Sequence, residues 1–219
     1  MAGNYEKMEQ DARALFLKAD QRLITECWEL ESDADYIYVE FFSQRLKIDR
    51  KTAEITAAEG DALLCAPANG RHRSTTVNES MILFDILTRT GARPAASGQW
   101  ASISVLGGVI GQGHDRILNH QEDAARFAGR TEELKKACEA LGGVPESRAD
   151  AGYSFEVFKD FRILFQFWDA DDEFPASIKY LFDANALQYM HYETLWYVMG
   201  ALYDRILNSY NIALANSSR

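Results

Sequence analysis

Apolar residues recur at helical spacing along 5–31, where Met8, Ala12, Leu15, Phe16, Ala19, Leu23, Ile24 and Trp28 form one stripe opposite a charged face. This pattern predicts one amphipathic helix, closed by a turn at 32–35. The aromatic and β-branched run at 36–42 predicts a strand, and the runs at 45–49 and 53–57, joined by a tight turn at Arg50, Lys51 and Thr52, predict two more. Together they describe a β-meander packed on the first helix. Helical spacing returns at 77–90, with Ser74, Thr75 or Thr76 available as a cap and Gly91 as the stop. Met81, Ile82, Phe84, Ile86 and Leu87 make that helix apolar around much of its girth, which predicts burial.

Beyond a loop at 94–98, the run at 100–106 reads as a short strand or the start of a docking loop. The stretch 115–141 predicts one or two helices broken near Gly129, ended by Gly142 and Gly143 with Pro145 just beyond. Two apolar runs at 153–158 and 161–168, separated by Lys159 and Asp160, predict an antiparallel hairpin. Phe161, Ile163, Phe165 and Phe167 share one face of the second run while Leu164 and Trp168 lie on the other, so that strand belongs in the middle of a sheet, covered on both sides. A further strand at 177–182, a turn at 183–186 and a final helix at 192–214 complete the series, with 216–219 expected to fray. The expected fold class is α+β, an antiparallel sheet packed by N-terminal, central and C-terminal helices, forming one domain over 1–219.

Composition narrows the function. A net charge of −10 on 219 residues excludes a duplex-binding surface, which needs clustered Lys and Arg. The apolar runs are only strand-length, so none spans a bilayer. Residues 1–13 are polar and acidic and lack the basic and apolar regions of a signal peptide. The expectation is a cytoplasmic protein with no nucleic-acid or membrane partner. Cys27, Cys65 and Cys138 are scattered and form no CxxC pair, which predicts free thiols. Arg71, His72 and Arg73 form the one local basic cluster; it is a solvated loop, or an anion grip if the side chains converge.

The densest candidate chemistry follows the central strand. Asp169, Asp171, Asp172 and Glu173 lie within five residues, with Asp183 at the end of the next strand and Glu193 in the first turn of the last helix. If the two strands are neighbours, several of these converge at one sheet edge, and in an extended segment Asp169, Asp171 and Glu173 share one side. Grouped carboxylates bind Mg²⁺ or Ca²⁺, split their pKa values for acid–base work, or cap turns and helix starts. The candidate divalent-metal set is Asp171, Glu173 and Asp183. Asp183 also heads a turn in which a carboxylate commonly bonds its own backbone.

Aromatic residues, among them Trp168, Phe174, Tyr180 and Trp196, interleave with these acids, as core or as walls for a planar ligand with His191 as an axial group. Gly107, Gly108, Gly111 and Gly113 permit close approach to a ligand. The candidate ligand-binding set is therefore Trp168, Asp171, Glu173, Phe174, Asp183, Glu193, Gly108 and His114. The sequence has no G-x-G-x-x-G, P-loop, G-x-S-x-G or H-E-x-x-H motif, and it identifies no catalytic residue.

Several of these residues carry a resemblance. Trp168 with the acidic run ending in Glu173, Phe174, Pro175 and Ala176, the Leu181-Phe182-Asp183 step, and Glu193 resemble an uncharacterised prokaryotic family, domain of unknown function 3786, mostly from anaerobes. The helix at 82–87, Gly98-Gln99-Trp100, Leu106-Gly107-Gly108 and Leu141-Gly142-Gly143 extend it over roughly 82–207. Some members carry a cysteine-rich iron–sulfur segment of the kind seen in corrinoid-dependent one-carbon enzymes. The resemblance thus implies tetrapyrrole or corrinoid handling in anaerobic metabolism, although this chain has no cysteine cluster. Three readings follow: a ligand-binding or accessory protein, with a tetrapyrrole or corrinoid as its most specific ligand; an enzyme using a carboxylate-bound divalent metal; and an acidic module that meets a basic partner protein.

Overall fold

The computed structural model describes residues 4–58, 77–89, 91, 93–107, 120–146 and 148–217. In chain order the elements are α1 (Asn4–Lys18), α2 (Gln21–Trp28), β1 (Tyr36–Phe41), β2 (Gln44–Asp49), β3 (Ile55–Ala57), α3 (Val77–Thr88), β4 (Trp100–Ala101), α4 (Ile103–Leu106), α5 (His120–Ala125), α6 (Thr131–Ala140), β5 (Val144–Pro145), β6 (Ala151–Phe158), β7 (Phe161–Trp168), β8 (Ser177–Asp183), α7 (Ala186–Tyr189) and α8 (Thr194–Ser217). The fold class is α+β with two antiparallel sheets. The described residues fall into two compact units, one drawn from 1–95 and 187–204, the other from 96–186 and 205–219.

In the first unit the stripe expected to make one helix makes two. Asp20 stands in extended backbone, and its carboxylate accepts the N–H groups of Arg22 and Leu23, which starts α2 afresh. Glu29, at φ 49°, closes α2 in the left-handed conformation. The meander forms as expected, in the order β1-β2-β3. Its inner residues Ile37, Val39, Phe41, Leu46, Ile48 and Ile55 are buried. Phe42 and Ser43, at φ 47° and 57°, make the two-residue hairpin loop that twisted antiparallel strands favour. Arg13 joins α1 to this layer: its Nη1 donates to the Ala53 carbonyl at 2.7 Å while its guanidinium lies 5.8 Å from the centre of the Phe84 ring on α3. Helix α3 is as buried as its composition predicts, with Ile82, Leu83, Phe84, Ile86 and Leu87 all at 1% exposure or less.

In the second unit five strands run in the order β4-β8-β7-β6-β5, which puts β7 in the middle. Phe161, Ile163, Phe165 and Phe167 are buried on one face as the alternation predicts. Phe127, just past α5, meets Phe167 edge-on at 6.1 Å and Tyr210 of α8 at 5.0 Å. Such aromatic pairs add about 0.5–1.5 kcal/mol beyond area burial.

The two glycines that end α6 have different reasons. Gly142 takes φ 76°, whereas a Cβ on Gly143 would lie 2.8 Å from both the Cys138 carbonyl oxygen and the Phe155 ring. Three expected boundaries change: 100–106 is a two-residue strand followed by α4, 186–189 is a short helix, and the last helix is Thr194–Ser217. Cys27 and Cys138 are free thiols, and burial pushes the Cys138 thiol far above its ordinary range, with Glu139 adding to the shift.

Candidate functional site

Strands β7 and β8 are neighbours, but they are antiparallel. Trp168 pairs with Ser177 at one end of the ladder and Ile163 with Phe182 at the other. The turn at 169–175 therefore leaves one end of the sheet and Asp183 leaves the opposite end, about 20 Å away along the strand direction. The expected convergence does not form, because the C-terminal ends of antiparallel neighbours point apart. Trp168, Asp171, Glu173 and Phe174 do share one end. Asp183 lies at the other, and Glu193 belongs to the first unit. Gly108, His114 and the Arg71-His72-Arg73 cluster lie outside the described residues. Among the described residues no group of three or more His, Cys, Asp or Glu side chains is placed to hold a metal. The set Asp171, Glu173 and Asp183 is thus not assembled.

The carboxylates divide into those that build and those that are presented. Asp169 accepts the Gly129 N–H on both oxygens, at 2.9 and 3.1 Å, and the Thr131 hydroxyl at 2.9 Å. It thereby ties the β7–β8 turn to the start of α6. The Gly129 amide bond is the main reason its carboxyl is held below the usual range, with the Thr131 and Ala170 bonds adding to it against a partial offset from burial. Asp171 accepts the N–H groups of Glu173 at 2.9 Å and Phe174 at 2.7 Å, and its own N–H donates to the Phe174 carbonyl at 3.0 Å. Residues 171–174 are a closed turn, so the side-sharing expected of an extended segment is absent. Those two amide bonds lower the Asp171 pKa. Asp172 and Glu173 are exposed, and among the described residues their side chains have no hydrogen-bond or ion-pair partner.

Asp183 is 5% exposed. Both its oxygens accept the Ser97 N–H, at 3.0 and 2.9 Å, and it also takes the N–H of Gly98 at 3.0 Å and of Asn185 at 2.9 Å. The bond to Asn185 is the local turn its sequence predicts. Burial is the largest influence on this carboxyl and pushes its pKa up, but the amide donors together outweigh it and the net direction is down. Asp183 is an anchor for the segment entering β4, and Gly98 supplies the left-handed φ of 69° that the segment needs there.

The sequence reading assigned no role to Asp85. In the first unit its Oδ2 accepts the His191 N–H at 2.8 Å and the Thr194 hydroxyl at 2.5 Å, and its Oδ1 lies 2.6 Å from His191 Nδ1 and 3.5 Å from Arg89 Nε. A carboxylate interrupting the apolar run 81–87 is the available signal.

A family model for a domain of unknown function, DUF3786, matches residues 20–205. The chain belongs to this family. No curated protein and no solved structure matches the chain. The DUF3786 match begins well before the 82–207 region of resemblance and takes in the meander, Asp85, the turn at 169–175 and Asp183. No helix among the described residues is long and apolar enough to cross a membrane.

A tetrapyrrole or corrinoid does not fit the residues expected to hold it. Trp168 and Phe174 stand at one end of the sheet and Asp183 at the other, with its oxygens filled by backbone donors.

Proposed function

We propose that this DUF3786 member is an accessory protein that engages a basic partner protein through the β7–β8 turn. The observation that carries the reading is Phe174, 67% exposed and directly after the unpaired carboxylates of Asp172 and Glu173. Asp169 and Asp171 spend their oxygens on backbone donors and brace the turn, so the aromatic ring and the two free acids are held in place before any encounter. An exposed aromatic anchor ringed by charge is the composition of an interface hot spot with a polar rim. The net charge of −10 sets the sign of the partner. The metal-enzyme reading finds no support in this arrangement, since its three carboxylates are divided between two ends of the sheet.

A photo-crosslinking residue placed at Phe174 in the source cells tests this reading, with Val144, 50% exposed in the same unit, as the control position. The expected result is one discrete cross-linked species from position 174. It should fade with raised salt, which screens exposed charges beyond about 10 Å at 0.1 M, and in Asp172→Asn/Glu173→Gln. Identical adducts from positions 174 and 144 would overturn it.

A further inference from the structure

The apolar stripe of the first helical segment is wider than the part of it that the first unit buries. Phe16 is fully buried, with its ring 5.1 Å from that of Phe84 on α3, and Arg13 reaches the meander from the same side of α1. On the adjoining row Leu15 is 62% exposed and Met8 36% exposed. With Ala12 and Ala19, both only partly covered, these two form a row spaced by four, three and four residues. That is the seam spacing of a helix that packs along a second helix, with the large residues at one knob position and the alanines at the other. Exposed leucines scattered singly need no explanation, but an apolar seam left open along a helix does.

Charge identifies its cover. Asp11 and Lys18 stand on one flank of the seam, a turn before and a turn after Leu15. Both are exposed, and among the described residues neither side chain has a hydrogen-bond or ion-pair partner. An anion and a cation placed evenly about one leucine are self-complementary under a two-fold axis. When two copies of α1 cross antiparallel at Leu15, Asp11 of each copy meets Lys18 of the other. A parallel pair would set them against the opposite flank, where Phe16 is buried and Glu9 is held by Arg13 at 2.9 Å. We propose that the first unit binds a second copy of this chain through antiparallel pairing of α1 about Leu15. No residue of the turn at 169–175 takes part, so this contact stands or falls apart from the docking reading.

Sedimentation equilibrium of the whole chain, from about 10 μM to about 1 mM, reads the association. The expected result is a reversible equilibrium between monomer and dimer. Leu15→Glu should weaken it about tenfold or more. Leu17→Glu, at a position 41% exposed on the far side of α1, should leave it unchanged. Both leucines are exposed, so neither variant loses a core contact. Asp11→Lys sets like charges against each other and should weaken the dimer about threefold or more. Adding Lys18→Asp to it should restore the parent affinity, because the two pairs are then swapped rather than broken. Three results would overturn the proposal: equal losses from Leu15→Glu and Leu17→Glu, a double charge variant no tighter than Asp11→Lys, or a chain still monomeric at about 1 mM. The last would give the seam to a helix of another protein.

Discussion

The hydroxyl of Thr194, the first residue of α8, donates to Asp85 Oδ2 at 2.5 Å, so a carboxylate on α3 ties down the start of a helix that begins 109 residues later. The same oxygen takes the His191 N–H at 2.8 Å. Asp85→Ala removes both bonds and the His191 ring contact together and leaves the donors without a partner. The expected cost is about 1–3 kcal/mol, with Thr194→Ala costing less. Urea denaturation of the two single variants and the double variant checks this, because groups sharing one carboxylate should be strongly non-additive. Additive losses would show that Asp85 and Thr194 act independently and that the bond between them carries no stability.

Asp183 makes acid stability site-specific. Its folded-state pKa is depressed, so its stabilisation is fully present above the ordinary carboxylate value of about 3.9 and is lost as pH falls through the lower folded value. Asp183→Asn keeps an acceptor oxygen but cannot titrate. Between pH 5 and 2 the variant should lose less stability than the parent, while at pH 7 it is the less stable of the two. Chemical denaturation across that range reads both arms. Parallel pH curves would mean that Asp183 does not carry this part of the acid sensitivity.

Much of this fold was legible because period and punctuation agreed. The alternation of Phe161, Ile163, Phe165 and Phe167 announced a central strand, and Lys159 and Asp160 announced the hairpin beside it. The break of the first helix was missed because the apolar stripe runs on through a residue, Asp20, whose side chain starts a new helix. The acidic site was misjudged for a different reason. Nearness in sequence was taken for nearness in space, and strand direction, which places Asp183 at the far end of the sheet from Asp171, is a tertiary fact. The role of Asp85 depends on a partner 109 residues away, which no local pattern encodes.

Gly143→Ala separates close approach from turn conformation. The added methyl would sit 2.8 Å from the Cys138 carbonyl oxygen and from the Phe155 ring, and both the backbone and a buried aromatic resist moving. The expected destabilisation is about 1–3 kcal/mol, the range of core overpacking. Gly129→Ala has open space around its Cβ, so its penalty comes from φ 71° alone and should be about 1–2 kcal/mol. Thermal unfolding compares them. A second substitution, Phe155→Leu, removes the ring clash but leaves the one with the Cys138 carbonyl, so it should recover only part of the loss at 143 and none of the loss at 129.

The division of labour in the β7–β8 turn can be tested one carboxylate at a time. Asp171 Oδ1 serves two amides, so Asp171→Ala should speed hydrogen exchange at the Glu173 and Phe174 N–H groups and lower stability by about 1 kcal/mol. Glu173→Gln removes a charge that touches nothing, so stability should stay within about 0.5 kcal/mol of the parent, as for surface positions in general. Because the amides hold the Asp171 pKa down, the protection of these two N–H groups relative to the intrinsic rate at each pH should persist at neutral pH and fade as pH falls through the lowered carboxyl value. Exchange rates unchanged by Asp171→Ala would mean that the turn is held by its ends, Asp169 and the strands, and that Phe174 is not braced by its own loop.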